Sequence, residues 1–117
     1  LYGSLLPSRE TKATSDTLLT TESGKTIVVT ATSGTITFTL PTASTDSLIY
    51  TFVDGKSTGT NTFSVDPAGT NTIRYLTLAQ GDKITSPGAT GDSVTLISDS
   101  TGIWYVQNMH GTFTDGN

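Results

Sequence analysis

Apolar and hydroxyl side chains alternate through Thr35-Ile36-Thr37-Phe38-Thr39-Leu40. A strand sends successive side chains to opposite faces, so this stretch predicts a strand that buries Ile36, Phe38 and Leu40 and turns three threonines to water. From Gly24 onward similar segments follow one another with turn residues about every 8 to 12 positions, the spacing of a sandwich or barrel. The pattern predicts strands near 26–32, 35–40, 48–53, 62–66, 72–78, 82–85, 93–98 and 103–108. No window carries the three-to-four spacing of an amphipathic helix. The expected fold is therefore all-β, a single-domain β-sandwich or β-barrel-like fold of about eight strands.

Ser33-Gly34 stands at hairpin distance between two predicted strands, because glycine supplies the positive φ of a tight turn. Asp54-Gly55, Pro67-Ala68-Gly69, Pro87-Gly88 and Ser98-Asp99-Ser100-Thr101-Gly102 punctuate the rest. The expected core runs from Ile27 and Val29 through Phe38, Tyr50, Phe52 and Phe63 to Leu76, Leu78, Trp104 and Val106. Gly81-Asp82-Lys83-Ile84 and Gly91-Asp92-Ser93-Val94 begin alike, but the likeness ends there and reads as two similar strand starts rather than a solenoid repeat.

Residues 1–24 break the pattern. Leu1-Tyr2-Gly3-Ser4-Leu5-Leu6-Pro7 is apolar without period, and Ser8 to Thr21 is polar except for Leu18 and Leu19 as anchors. This segment reads as an extended N-terminal arm ahead of a β-domain at 25–117, with an edge strand folded back on the same subunit as the alternative. Apolar residues on a nonperiodic arm need a partner to cover them, which makes Leu1, Tyr2, Leu5, Leu6 and Arg9 the expected contacts to a neighbouring molecule.

Composition agrees with sheets. Thr and Ser supply 26 and 13 of the 117 residues, while only 14% are charged, so hydroxyls rather than Lys and Glu keep the surface wet. β-Branched Thr suits a pleated, half-buried surface. Ten carboxylates against six basic residues give a net charge of −4 without any Lys/Arg cluster, which argues against nucleic acid as a partner. The absence of cysteine excludes disulfides and thiolate metal sites. Apolar runs such as Ile27-Val28-Val29 are far too short to cross a bilayer and no basic-then-apolar leader opens the chain, so a soluble protein without a membrane partner is expected. Leu1 in place of an initiating Met leaves a removed leader open.

The candidate chemistry is sparse. Gly55-Lys56-Ser57-Thr58-Gly59 fits the Gly-x-Ser-x-Gly elbow and contains Gly-Lys-Ser. The elbow needs a helix after it, and a phosphate loop needs a glycine where Tyr50 stands, so the segment reads as a turn. His110 is the only histidine, which excludes multi-histidine metal sites and leaves any Ser-His-Asp triad dependent on this one residue. An interface role is the simpler reading. Asp46, Asp54, Asp66, Asp82, Asp92 and Asp99 fall in turns, where Asp is common, and neither a glycosidase pair nor an alternating calcium loop emerges from them. Trp104 and Tyr105 are adjacent in a strand, so one ring enters the core and the other is free for a subunit contact or a sugar platform. No catalytic residue, cofactor or metal site is expected. Tyr105 and His110 are the expected subunit-interface residues.

The order of segments carries one resemblance. Thr37-Phe38-Thr39-Leu40-Pro41, Tyr50-Thr51-Phe52-Val53-Asp54-Gly55, Asn61-Thr62-Phe63-Ser64-Val65-Asp66-Pro67, Ala79-Gln80-Gly81-Asp82, Asp92 to Asp99 and Gly102-Ile103-Trp104-Tyr105-Val106 together resemble a small β-module of tailed-bacteriophage virion proteins. That module recurs in head-decoration (cement) proteins, head fibres and tail fibres, and the resemblance spans about residues 26–110. It implies a structural virion protein without enzymatic activity, usually a homotrimer. The expectation is a capsid decoration protein on the outer capsid surface with the major capsid protein as its partner, short enough here to be a complete cement subunit. The alternative is a receptor- or glycan-binding module of a phage head or tail fibre, and a glycan-cleaving enzyme is a third reading.

Overall fold

The computed structural model describes residues 8–117, and these form two packed β-sheets with almost no helix. The strands are β1 (Ser8–Lys12), β2 (Asp16–Thr17), β3 (Lys25–Val29), β4 (Ile36–Thr39), β5 (Ile49–Asp54), β6 (Phe63–Asp66), β7 (Thr72–Arg74), β8 (Ile84–Thr85), β9 (Ser93–Ser98), β10 (Ile103–His110) and β11 (Thr114–Asp115), with one 3-10 turn at Thr20–Glu22. The first sheet has six strands in the order β1-β3-β5-β9-β10-β7, and the second has five in the order β11-β8-β6-β4-β2. The fold is all-β and compatible with the expected sandwich, with eleven strands among the described residues rather than about eight.

Successive strands change sheet. From β1 to β9 the chain crosses to the opposite sheet after every strand, so neighbours are two strands apart in sequence along β1-β3-β5 and along β2-β4-β6-β8. β1, β3 and β5 are consequently parallel in the first sheet, as are β2, β4 and β6 in the second. Parallel strands need a crossover connection, and here the crossover is a strand of the other sheet instead of a helix. The first six strands thus wind like turns of a flattened coil, although β1, β3 and β5 begin at Ser8, Lys25 and Ile49, too irregularly for a sequence repeat. Ser33-Gly34 therefore joins strands of different sheets and is no hairpin turn, even though Gly34 takes the positive φ of 74°. Among the described residues the one pair of consecutive strands that are neighbours is β9–β10.

The arm follows the folded-back alternative over its described part. β1 pairs with β3 at one edge of the first sheet and β2 pairs with β4 at one edge of the second, so residues 8–17 clasp both sheets on the same side. Leu18 is fully buried behind them. The boundary drawn at residue 24 falls at the start of β3, and the segment before it supplies one strand to each sheet.

Side chains meeting between the sheets form the core. Ile36, Phe38 and Leu40 are buried as their alternation predicts. Phe38 stacks on Phe52 from the other sheet at 5.5 Å between ring centres, Phe63 meets Phe113 edge-on at 5.7 Å, and Tyr50 tilts against Trp104 at 5.8 Å. Aromatic pairs in such geometries add about 0.5–1.5 kcal/mol each beyond their burial. Leu76 departs from expectation, being 66% exposed. β7 stops at Arg74 and Leu76 lies in the following turn with a left-handed φ of 54°, so it no longer shares the strand's inward face. Leu78 and Val106 are only partly buried against the core, while Ala31, Ala43, Ile84 and Phe113 join it unannounced.

The turn after β5 holds the least expected group. Lys56, in the segment read as a turn, is 2% exposed; its Nζ donates to Asp54 Oδ2 at 2.6 Å and to the Gly88 carbonyl at 2.6 Å. Asp54 is equally buried, and its Oδ1 accepts the Lys56 backbone N–H at 3.2 Å. The pair ties the end of β5 to the loop before β9. Removing one partner of a buried ion pair strands the other charge, so Lys56→Met should lower unfolding stability by roughly 3–5 kcal/mol. Lys56→Met combined with Asp54→Asn should recover most of that loss, because no lone charge is left behind. Urea unfolding midpoints decide: a single variant as stable as the parent would show that the pair does not hold this loop.

Candidate interaction surface

The expected interface residues Tyr105 and His110 both lie on β10, five residues apart, which in a regular strand would put them on opposite faces. They share a face because β10 carries a bulge. Val106 pairs with Leu96 and Asn108 with the adjacent Thr95, leaving Gln107 as an extra residue. Trp104, Val106 and Met109 consequently point inward, whereas Tyr105, Asn108 and His110 point to the outer face of the six-stranded sheet. Trp104 is completely buried and Tyr105 is 42% exposed, as adjacent rings on a strand require.

Strand register places three transverse rows on that outer face. One row runs Ile49, Ile97, Tyr105 and Arg74 across β5, β9, β10 and β7. The next runs Arg9, Thr26, Thr51, Thr95 and Asn108, and the third Thr11, Val28, Val53, Ser93 and His110. Most of these side chains are short, β-branched and half-buried by one another. Thr51 and Thr95 join their hydroxyls at 2.9 Å, one donating and the other accepting. The three rows contain no carboxylate; the nearest is Asp99 at the margin, whose Oδ2 accepts the Tyr105 hydroxyl at 3.2 Å. Asp99 Oδ1 also accepts the Thr101 and Ile103 backbone N–H groups and the Thr101 hydroxyl, and these bonds, that from the Thr101 backbone foremost, hold its carboxyl below the ordinary range.

Arg9, one of the five arm contacts expected from sequence, is exposed on β1 at the edge of this face. Leu1, Tyr2, Leu5 and Leu6, the other four, lie outside the described residues. β1 has no apolar side chain of its own, so electrostatics help dock it. Glu10 and Lys12 face the seam between the sheets, where Lys12 Nζ meets Asp16 at 2.6 Å, Glu10 at 2.9 Å and Glu22 at 3.6 Å, and Lys25 Nζ reaches the second Glu10 oxygen at 3.0 Å. The Lys12 hydrogen bond, followed by that of Lys25, draws the Glu10 carboxyl down from 4.5 to about 2. Asp16 and then Glu10 hold Lys12 above the usual lysine range. Behind the seam the Tyr50 hydroxyl donates to the Leu19 carbonyl at 2.6 Å, and burial, with the Glu22 charge second, pushes it up to about 12.

The outer face of the five-stranded sheet has a different character. Register and sequence line up Ser15, Thr37, Ser64, Thr85 and Thr114, one hydroxyl from each strand or its immediate flank. The Ser64 and Thr85 hydroxyls meet at 2.8 Å, and the Thr37 N–H donates to Ser15 Oγ at 3.0 Å. At the β2 edge an open groove of about 420 Å³ is lined by Ser15, Asp16, Thr17, Thr37 and Thr39. Asp66 lies on the same face, its carboxyl raised by burial against the opposing effect of Lys83. Among the described residues no three His, Cys, Asp or Glu side chains gather closely enough to hold a metal ion, and no helix is long and apolar enough to cross a membrane. No protein-family model matches the chain, and no curated protein matches it.

The docking of β1 should depend on acid pH in a defined direction. A carboxyl whose folded pKa is depressed contributes stability above its unfolded value, lost as pH falls through the folded one. For Glu10 the window runs from 4.5 down to about 2. Glu10→Gln should therefore be less stable than the parent at neutral pH, and the difference should vanish toward pH of about 2, where the parent's Glu10 is protonated too. Hydrogen exchange of the β1 amides across that range measures it. A difference that stays constant with pH would rule out the seam as its source.

Proposed function

We propose that this chain is a structural virion protein, a capsid decoration subunit without enzymatic activity that seats as a homotrimer on the outer capsid surface against the major capsid protein. The observation that carries this reading is the outer face of the six-stranded sheet, where three rows of short, half-buried side chains present a weakly charged surface at whose edge the arm begins. Such side chains lose little rotamer freedom when covered, so burial there is opposed by a small entropy cost. Leu1, Tyr2, Leu5, Leu6 and Arg9 supply the capsid or neighbour contacts, each fully buried large apolar side chain contributing roughly 1.5–3 kcal/mol before ordering costs. Three arms on one trimer then act together, because after the first engages the others bind in effect intramolecularly. The likeness to the virion β-module points the same way.

The groove at the β2 edge favours a second reading, a glycan- or receptor-binding module of a phage fibre, since its hydroxyls and the Asp16 carboxylate offer hydrogen bonds to a polyhydroxyl ligand. Copy number separates the two. A decoration subunit is present in hundreds of copies per virion, a fibre module in a dozen or two, and quantitative protein gels of purified particles count them.

Removal of residues 1–7 leaves β1 whole, so the truncated chain should fold and assemble as the parent does yet fail to bind capsids in a sedimentation assay. Capsid binding at the parental level would exclude the arm as the contact. The isolated protein should also sediment with the mass of a trimer at low and at molar salt, because an interface of apolar burial and uncharged hydrogen bonds is screened little. A monomer at micromolar concentration in either buffer would sink the trimer.

A further inference from the structure

We propose that the outer face of the six-stranded sheet receives a second copy of this chain, and that the surface it receives is the acidic β8–β11 edge of that copy's five-stranded sheet. The inference rests on the oligomeric reading above and names the surfaces that make the contact.

Charge distribution selects the occupant. Arg9 and Arg74 are the only arginines of the chain, and both lie on this face, on β1 and β7 at its two borders. Neither has an ion-pair partner among the described residues. Three of the four lysines, Lys12, Lys25 and Lys56, are engaged by carboxylates inside the fold. A chain of net charge −4 that sets both arginines at the borders of one carboxylate-free face leaves the rest of its surface acidic. The matching patch is the edge where β11 pairs with β8: Asp115 stands on the edge strand and Asp82 in the turn before β8, with Asp66 on the neighbouring β6 beside the single Lys83. β11 is an edge strand, and Asp115 is exposed.

The same distribution decides the symmetry. In an aligned face-to-face contact about a two-fold axis, β1 would lie over the partner's β1 or over its β7, and either arrangement brings the arginine-bearing borders together. Like charges across an interface act against such a partner. A contact between two different surfaces has no such conflict, and with a rotation of one third of a turn per copy it closes into the trimer proposed above.

The size of the face is consistent with a contact that needs help. Six strands at about 4.8 Å spacing and three rows at roughly 6.6 Å cover on the order of 500 Å². A standard interface buries about 800 Å² per partner, so this face orients the contact and other elements of the subunit complete it.

Sedimentation equilibrium of the full chain at micromolar concentration tests the assignment with four variants. Thr51→Arg puts a long cation in the centre of the face and should lose the oligomer, while Thr17→Arg, an exposed position on the outer face of the other sheet at the edge away from β11, should keep it. Because Thr51→Arg also breaks the bond to Thr95, its circular dichroism must match the parent, and Arg74→Glu at an exposed position provides a second probe. Arg74→Glu should weaken association at least tenfold, and adding Asp115→Arg should restore part of it. An oligomer unaffected by both Thr51→Arg and Arg74→Glu, or one lost with Thr17→Arg alone, overturns this inference while leaving the trimer standing. A parent that is itself monomeric overturns both.

Discussion

A chain that changes sheet after almost every strand gets little from hairpins, and this constraint governs the rest of the molecule. Each crossing is held only if the side chains it carries inward meet those of the opposite sheet, because its sequence neighbours are in the wrong layer to pair with it. Phe38 and Phe63 of one sheet meet Phe52 of the other across the interior, and Tyr50, Trp104 and Phe113 extend this cluster within their own layers, all six all but unexposed. The parallel ladders of β1-β3-β5 and β2-β4-β6 follow from that packing. Non-local pairing of this kind makes folding slow relative to local topologies, since loop-closure entropy is spent before the contacts that offset it appear.

Legibility in the sequence tracked how different the two faces of a strand were. Thr35 to Leu40 was readable because its inward residues are apolar and its outward ones hydroxylic. Ser8-Arg9-Glu10-Thr11-Lys12 shows no such contrast: its inward side faces a polar seam, so Glu10 and Lys12 point inward as ions and the period is invisible. Phe113 stands alone in Gly111-Thr112-Phe113-Thr114, where two residues of strand give no periodicity to detect. The segment holding Lys56 reads from sequence only as a turn, and only the fold brings the Gly88 carbonyl to its ammonium. On the candidate surface, Tyr105 and His110 were each found by type, but their common face depends on a one-residue bulge that nothing in Val106-Gln107-Asn108 announces.

The two outer faces use the same residue types to different ends. On the five-stranded sheet hydroxyls continue from strand to strand, with Ser64 buried against Thr85 and the open hydroxyls gathered at the β2 edge, where they can exchange hydrogen bonds with water. On the six-stranded sheet the threonine row runs between rows containing Ile49 and Ile97, Val28 and Val53. Water is partly replaced there, because one of the Thr51 and Thr95 hydroxyls already donates to the other. Covering it costs little desolvation and removes apolar surface, which is the balance an assembly surface needs.

β1 connects that surface to whatever lies before it in the chain. It is an edge strand held by a backbone ladder on one side and by the Lys12–Glu10–Lys25 and Lys12–Asp16 pairs at the seam, with Lys12 only slightly exposed. Partly buried ion pairs of this kind are directional, so they set the register of β1 against β3 more than they add to overall stability. Register matters here because a slip of one residue would exchange the two faces of β1, sending Arg9 and Thr11 into the seam and Glu10 and Lys12 outward. The seam charges therefore decide which side chains the six-stranded sheet displays at its border. Which side of β1 the sheet presents at this border is thus fixed by four charged groups, Glu10, Lys12, Asp16 and Lys25.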